Sequence, residues 1–96
     1  MTDTAEGRYQ GTDPRLFAAY LPYLRSCNRI LDYGCGSGAF LRWAKVRELV
    51  AEGYEPDAVI REMARAGGAI VHGEMPDLAR FDALVLICVI EHLDRA

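Results

Sequence analysis

Apolar positions along the chain change their spacing several times, and each change marks an element. Leu16, Phe17, Tyr20, Leu21 and Leu24 recur in steps of three and four, which predicts an amphipathic helix over 14–24. Asp13-Pro14 opens it as a cap followed by a proline at the first helical position, and Pro22 is expected to kink or interrupt it. Residues 29–33 read as a short buried strand. A helix follows over 38–46, with Phe40, Leu41, Trp43 and Ala44 as its apolar surface; at helical spacing these are core residues rather than a substrate platform. Residues 48–54 make a second strand that ends at Glu55-Pro56. Asp57 caps a third helix to residue 66, where Gly67-Gly68 stops it. Residues 69–72 give a brief third strand, and 81–90, FDALVLICVI, form an almost continuous apolar run.

Strands alternating with helices through short connections call for a parallel α/β sheet with helices on both faces. A strand with one wet face would alternate polar and apolar residues, so the run over 81–90 expects cover on both faces and a central place. Only six residues follow it. Left unpaired it would be a bare apolar edge, which natural sequences avoid. The expectation is therefore the first half of a larger domain, or an edge completed by a partner or a second copy. Residues 1–12 read as a mobile arm and 13–96 as the folded unit.

Composition narrows the class. The 96 residues carry a net charge of −3 with no basic run, which speaks against a nucleic-acid footprint. Cys27, Cys35 and Cys88 show no metal or disulfide spacing, and an odd set of isolated thiols fits a reducing cytoplasm. No stretch has signal-peptide or bilayer-spanning character. Two histidines far apart and scattered carboxylates assemble no metal site.

The chemistry concentrates in 29–40, RILDYGCGSGAF. Asp32 precedes three glycines at two-residue spacing, Gly34, Gly36 and Gly38, between a strand and a helix. Such a loop brings bare backbone against a ligand and aims a helix N-terminus into the same cleft, as a nucleotide-like cofactor requires. The spacing differs from the dinucleotide pattern G-x-G-x-x-G. Glu55, 17 residues after Gly38, stands where a carboxylate accepts bonds from both hydroxyls of a ribose, and it would repel a 2′-phosphate.

ILDYGCGSG, EGYEPD and FDALVLICVIEHL, in that order and spacing, resemble class I S-adenosylmethionine-dependent methyltransferases over 29–93. The resemblance implies a Rossmann-like, seven-stranded fold ordered 3-2-1-4-5-7-6, of which this chain supplies the cofactor-binding half, 3-2-1-4. It implies that Gly34, Cys35, Gly36 and Gly38 hug the methionine portion and that Asp32 positions its ammonium. Glu55 would bind the ribose and Pro56 would lie against the adenine. Glu74 would take the adenine amino group, with Asp77 as a rival, and the Met75 N–H would meet a ring nitrogen. Cys88 would line the cleft near the transferring methyl.

His92 reads first as a helix-start residue that packs or caps the turn, with a general base as the alternative, so no catalytic residue is assigned. Glu91 reads as structural and His72 as a surface residue. Tyr9 is a candidate to fold over the cofactor. The leading function is methyl transfer from S-adenosylmethionine to an unidentified acceptor, with a small molecule preferred. The alternatives are a non-catalytic methyltransferase-like module and an NAD-linked oxidoreductase.

Overall fold

The structure, a computed structural model, describes residues 14–86. Helix α1 spans Pro14–Leu24, strand β1 Ile30–Tyr33, helix α2 Ala39–Val46, strand β2 Ala51–Tyr54 and helix α3 Ala58–Ala66. Strand β3 spans Val71–His72, a 3₁₀ turn Leu78–Arg80 and strand β4 Ala83–Val85. The strands form one parallel sheet in the order β3-β2-β1-β4, as expected from the sequence. Helix α1 continues through Pro22, although a proline there supplies no N–H to the carbonyl four residues earlier.

Register assigns side chains to the two faces. Asp32 stands opposite Gly53 and Val85, and Gly53 opposite Val71. These residues share a face with Ile30. Val71, Val85 and Ile30 join Phe17, Phe40, Leu41, Trp43, Ala44 and Ala64 in one core, so all three described helices contribute to it. Phe17 meets Phe40 edge-on at 5.3 Å and Trp43 at 5.6 Å, which locks α1 onto α2. Crossovers of the usual right hand, moving the same way from β1 to β2 to β3, place their helices on one side.

The opposite face carries Leu31, Glu52 and Leu84 in one row and Tyr33, Tyr54 and His72 in the next. Glu52 is buried there and takes two bonds from Arg29 (2.8 and 3.2 Å) and one contact from His72 Nε2 at 2.8 Å. Burial raises its affinity for protons, but the bonds from His72 and Arg29 and the Arg29 charge outweigh it and hold the carboxyl below its ordinary range. His72 is thus half-buried and paired, not the surface residue expected.

Three strand starts come later than the hydrophobic pattern predicts. At the second, Leu49 N–H donates to Ala44 O and Glu48 N–H to Lys45 O, so 48–49 wrap the end of α2 instead of extending. Glu48 adopts φ +62° to close that wrap, a conformation usually given to glycine. At the third, Gly68 does the same with φ +96° and Ala69 N–H returns to Ala64 O. At the fourth, Phe81 N–H closes the 3₁₀ turn on Leu78 O. Asp82 then clamps the sheet: its carboxylate accepts Asn28 and Arg29 N–H at 2.7 and 2.9 Å, which lowers its affinity for protons.

The cover expected on both faces of the fourth strand is seen on one face within the described residues. Val85 is buried, but Leu84 and Leu86 are 48% and 39% exposed. The arm over 1–12, the Asp13 cap, Tyr9, Cys88, Glu91 and His92 lie outside the described residues.

Glu48→Gly is expected to stabilise the fold by about 0.5–1 kcal/mol, since glycine adopts φ > 0 without the Cβ clash. Urea unfolding of the two proteins checks it; an equal or lower midpoint for the variant would contradict the account of the wrap.

Candidate functional site

The glycine loop is built by what β2 offers it. Gly34 and Cys35 N–H both donate to the Tyr54 carbonyl, at 2.9 and 3.0 Å. Gly36 N–H donates to Glu55 Oε1 at 3.0 Å. Gly38 N–H turns back to Cys35 O at 3.1 Å, and Gly38 becomes the residue from which α2 starts. All three glycines have positive φ, +79°, +58° and +98°, which explains their spacing.

The glycines answer different spatial needs. A Cβ at Gly38 would stand 3.2 Å from Ala64 Cβ, so its absence lets α2 and α3 approach. A Cβ at Gly36 would meet no protein atom within 4 Å. It would project into open space beside Glu55, so the backbone there is open to close approach. Cys35 points the other way. Its buried side chain packs on Gly53, where a Cβ would lie 2.6 Å from the sulfur. The contribution of Cys35 to the loop is therefore its backbone.

Glu55 is half-buried and held at both oxygens. Oε1 takes Gly36 N–H and Oε2 takes Asp57 N–H at 3.1 Å. An ionised carboxylate has about four lone-pair sites. One on each oxygen is used, and one on each remains for a pair of donors such as adjacent hydroxyls. The backbone bonds fix its orientation before any ligand arrives.

Asp32, at the end of β1, is 2% exposed. Burial, and then the negative charge of Glu55, push its carboxyl up to about 7. None of the described hydrogen bonds reaches it. A buried carboxylate without a partner is costly, and a cation placed against it would relieve that cost.

Past the sheet, a cleft of about 580 Å³ is lined by Pro56, Arg61, His72, Gly73 and Glu74, among others. The structure thus brings Pro56 and Glu74 together. Both Glu74 and Met75 are exposed. Asp77 spends its carboxylate on Ala79 N–H at 3.0 Å as the cap of the 3₁₀ turn, whereas no described hydrogen bond occupies Glu74. Arg61 and Gly73 escaped the sequence reading. No sequence signal marked them, because the fold is what sets Arg61 against Gly73. No group of three or more metal-ligating side chains occurs among the described residues, and none of their helices is long and apolar enough to cross a membrane.

The fold has counterparts among solved structures. A SAM-dependent methyltransferase from Archaeoglobus fulgidus is 28% identical, aligned over 73% of this chain and 33% of its own, with a TM-score of 0.57. The plantazolicin methyltransferase BpumL, solved with a triazolic desmethylPZN analog and SAH, shares the fold at 21% identity. That match covers 83% of this chain and 36% of BpumL, with a TM-score of 0.51. The chain spans about a third of the length of these proteins. No curated protein matches it. The family described as a methyltransferase domain matches residues 5–95, nearly the whole chain. The chain belongs to the methyltransferase domain family.

Proposed function

We propose that this chain forms the S-adenosylmethionine-binding half of a methyltransferase that moves a methyl group, in line, onto a small-molecule acceptor. The observation that carries the reading is the pairing of an open, side-chain-free Gly36 with a pre-oriented Glu55 that keeps a lone pair on each oxygen. A buried Asp32, which no described hydrogen bond reaches, lies next to the same loop and complements an ammonium group. The solved relatives support it, since one is described as SAM-dependent and another holds SAH. The net charge of −3 disfavours a nucleic-acid acceptor, and the isolated cysteines favour a cytoplasmic setting.

When bound, S-adenosylmethionine supplies a methyl group already activated on a sulfonium. The residues of the chain have positioning work to do. Glu55 holds the ribose diol, and Asp32 with the loop backbone at Gly34 and Gly36 holds the amino-acid end. Pro56 covers one face of the adenine while Glu74 and the Met75 N–H meet its edge. Fixing both ends of the donor aligns the reacting carbon, and alignment of this kind lowers a barrier by about 7–11 kcal/mol in favourable cases.

Two outcomes follow. Glu55→Gln should weaken S-adenosylhomocysteine binding at least tenfold, since a charge-assisted bond is worth about 1.5–3 kcal/mol. Calorimetric titration checks this, and unchanged affinity in a folded variant would remove ribose binding from Glu55.

The second concerns pH. Asp32 has its carboxyl near 7 in the folded chain against 3.8 for the free group, so the free protein loses stability as pH rises through 7. Ligand affinity should move oppositely. A cationic ammonium prefers the ionised form, so binding strengthens as pH climbs from 5.5 to about 8, by up to about tenfold per pH unit below 7. Asp32→Asn should flatten that profile. A wild-type profile without slope would separate Asp32 from the ammonium.

A further inference from the structure

Strands β2 and β3 are tied at their ends by one backbone bond, Glu55 N–H to His72 O at 3.0 Å. Beyond it the two loops part and open the cleft between Pro56 and Glu74. Arg61, projecting from α3, is the side chain that reaches both. Its Nη1 donates to Glu55 O at 2.9 Å and to Pro56 O at 3.2 Å. Its guanidinium lies against Gly73: a Cβ there would come within 2.7 Å of Nη1 and 2.8 Å of Cζ. The φ of Gly73 lies outside the left-handed region, so space for the guanidinium, and not backbone conformation, accounts for glycine at this position. The Arg61 Nε is buried without an acceptor, so the guanidinium is held by shape and by the two carbonyls.

We infer that Arg61 is a positioning residue which, seated on Gly73, fixes the distance between the ribose carboxylate Glu55 and the adenine-facing loop at Glu74 and Met75, and so sets the selectivity of the site for adenine. The inference rests on the cofactor reading above. The guanidinium acts as a spacer. Two carbonyls of one loop grip its Nη1, and the flat face bears on the backbone immediately before Glu74. A hydrogen bond weakens steeply once its donor and acceptor move beyond about 3.2 Å or out of line. Selectivity for an exocyclic amino group therefore depends on a spacing that neither Glu55 nor Glu74 controls alone.

The test measures affinities of the wild type, Arg61→Met, Gly73→Ala and the double variant for S-adenosylhomocysteine and for S-inosylhomocysteine, whose base carries oxygen in place of the amino group. Melting curves accompany the titrations. The wild type should prefer the adenosine ligand. Each single variant should lose about tenfold for it, the worth of one hydrogen bond, and change little toward the inosine ligand. The double variant should lose no more than Arg61→Met, because both substitutions break the same contact.

Equal losses for the two ligands would reduce Arg61 to a structural role and overturn the inference. So would multiplying losses in the double variant, unchanged selectivity in the singles, or a wild type indifferent to the base. Should Arg61→Met fail to fold, Gly73→Ala alone decides, since alanine fits that backbone and only displaces the guanidinium. A wild type that binds neither ligand overturns the cofactor reading itself, an outcome distinct from a wild type that binds and variants that do not change.

Discussion

Three successive residues at the end of β2 decide where the glycine loop lies. Gly53 offers no side chain, so the Cys35 sulfur and Leu41 can pack on its Cα; Tyr54 offers its carbonyl to two loop amides; Glu55 offers its carboxylate to a third. The loop is thus an extension of the neighbouring strand's hydrogen bonding, continued after β1 has stopped extending. Left-handed glycines turn successive N–H groups toward that strand, which an ordinary residue would do only with strain. Because Glu55 clamps the loop from the end of β2, any shift of β2 against β1 moves the loop with it.

The same arrangement couples fold and chemistry. The parallel register Asp32–Gly53 puts a carboxylate beneath the loop and next to the Glu55 charge. Two acidic groups in one partly dry region repel each other, and the apolar core under them, from Ile30 and Val85 to the aromatic cluster of Phe17, Phe40 and Trp43, offsets this. The charge of Glu55 thus adds to burial in raising the proton affinity of Asp32.

Much of this was written in the sequence. Helices α1, α2 and α3 declared themselves through spacing and caps, and Asp57 caps α3 through Val59 and Ile60 N–H as its position implied. The glycine loop and Glu55 were legible because left-handed conformations and a lone carboxylate leave few readings. Strand starts were not legible. Glu48 and Leu49 look extended in an apolar-polar pattern, yet helix α2 needed their amides to finish its last turn. Arg61 was hidden for another reason: an arginine on a helix reads as a solvated charge, and only the fold shows Gly73 beneath it. His72 was misplaced because its partner, Glu52, comes from another strand 20 residues away.

Asp32 and Glu52 make the argument by contrast. They sit on adjacent strands, on opposite faces of one sheet, and both are buried. Glu52 is answered by a guanidinium and an imidazole, and its affinity for protons falls; Asp32 receives no described bond, and its affinity rises. A satisfied buried charge that bridges three strands through Arg29 and His72 holds register and has little left to offer a ligand. Asp32, near the carboxyl end of β1, has no described bond to hold its charge. Burial alone does not distinguish the two; the described partners do, and the opposite proton shifts follow from them.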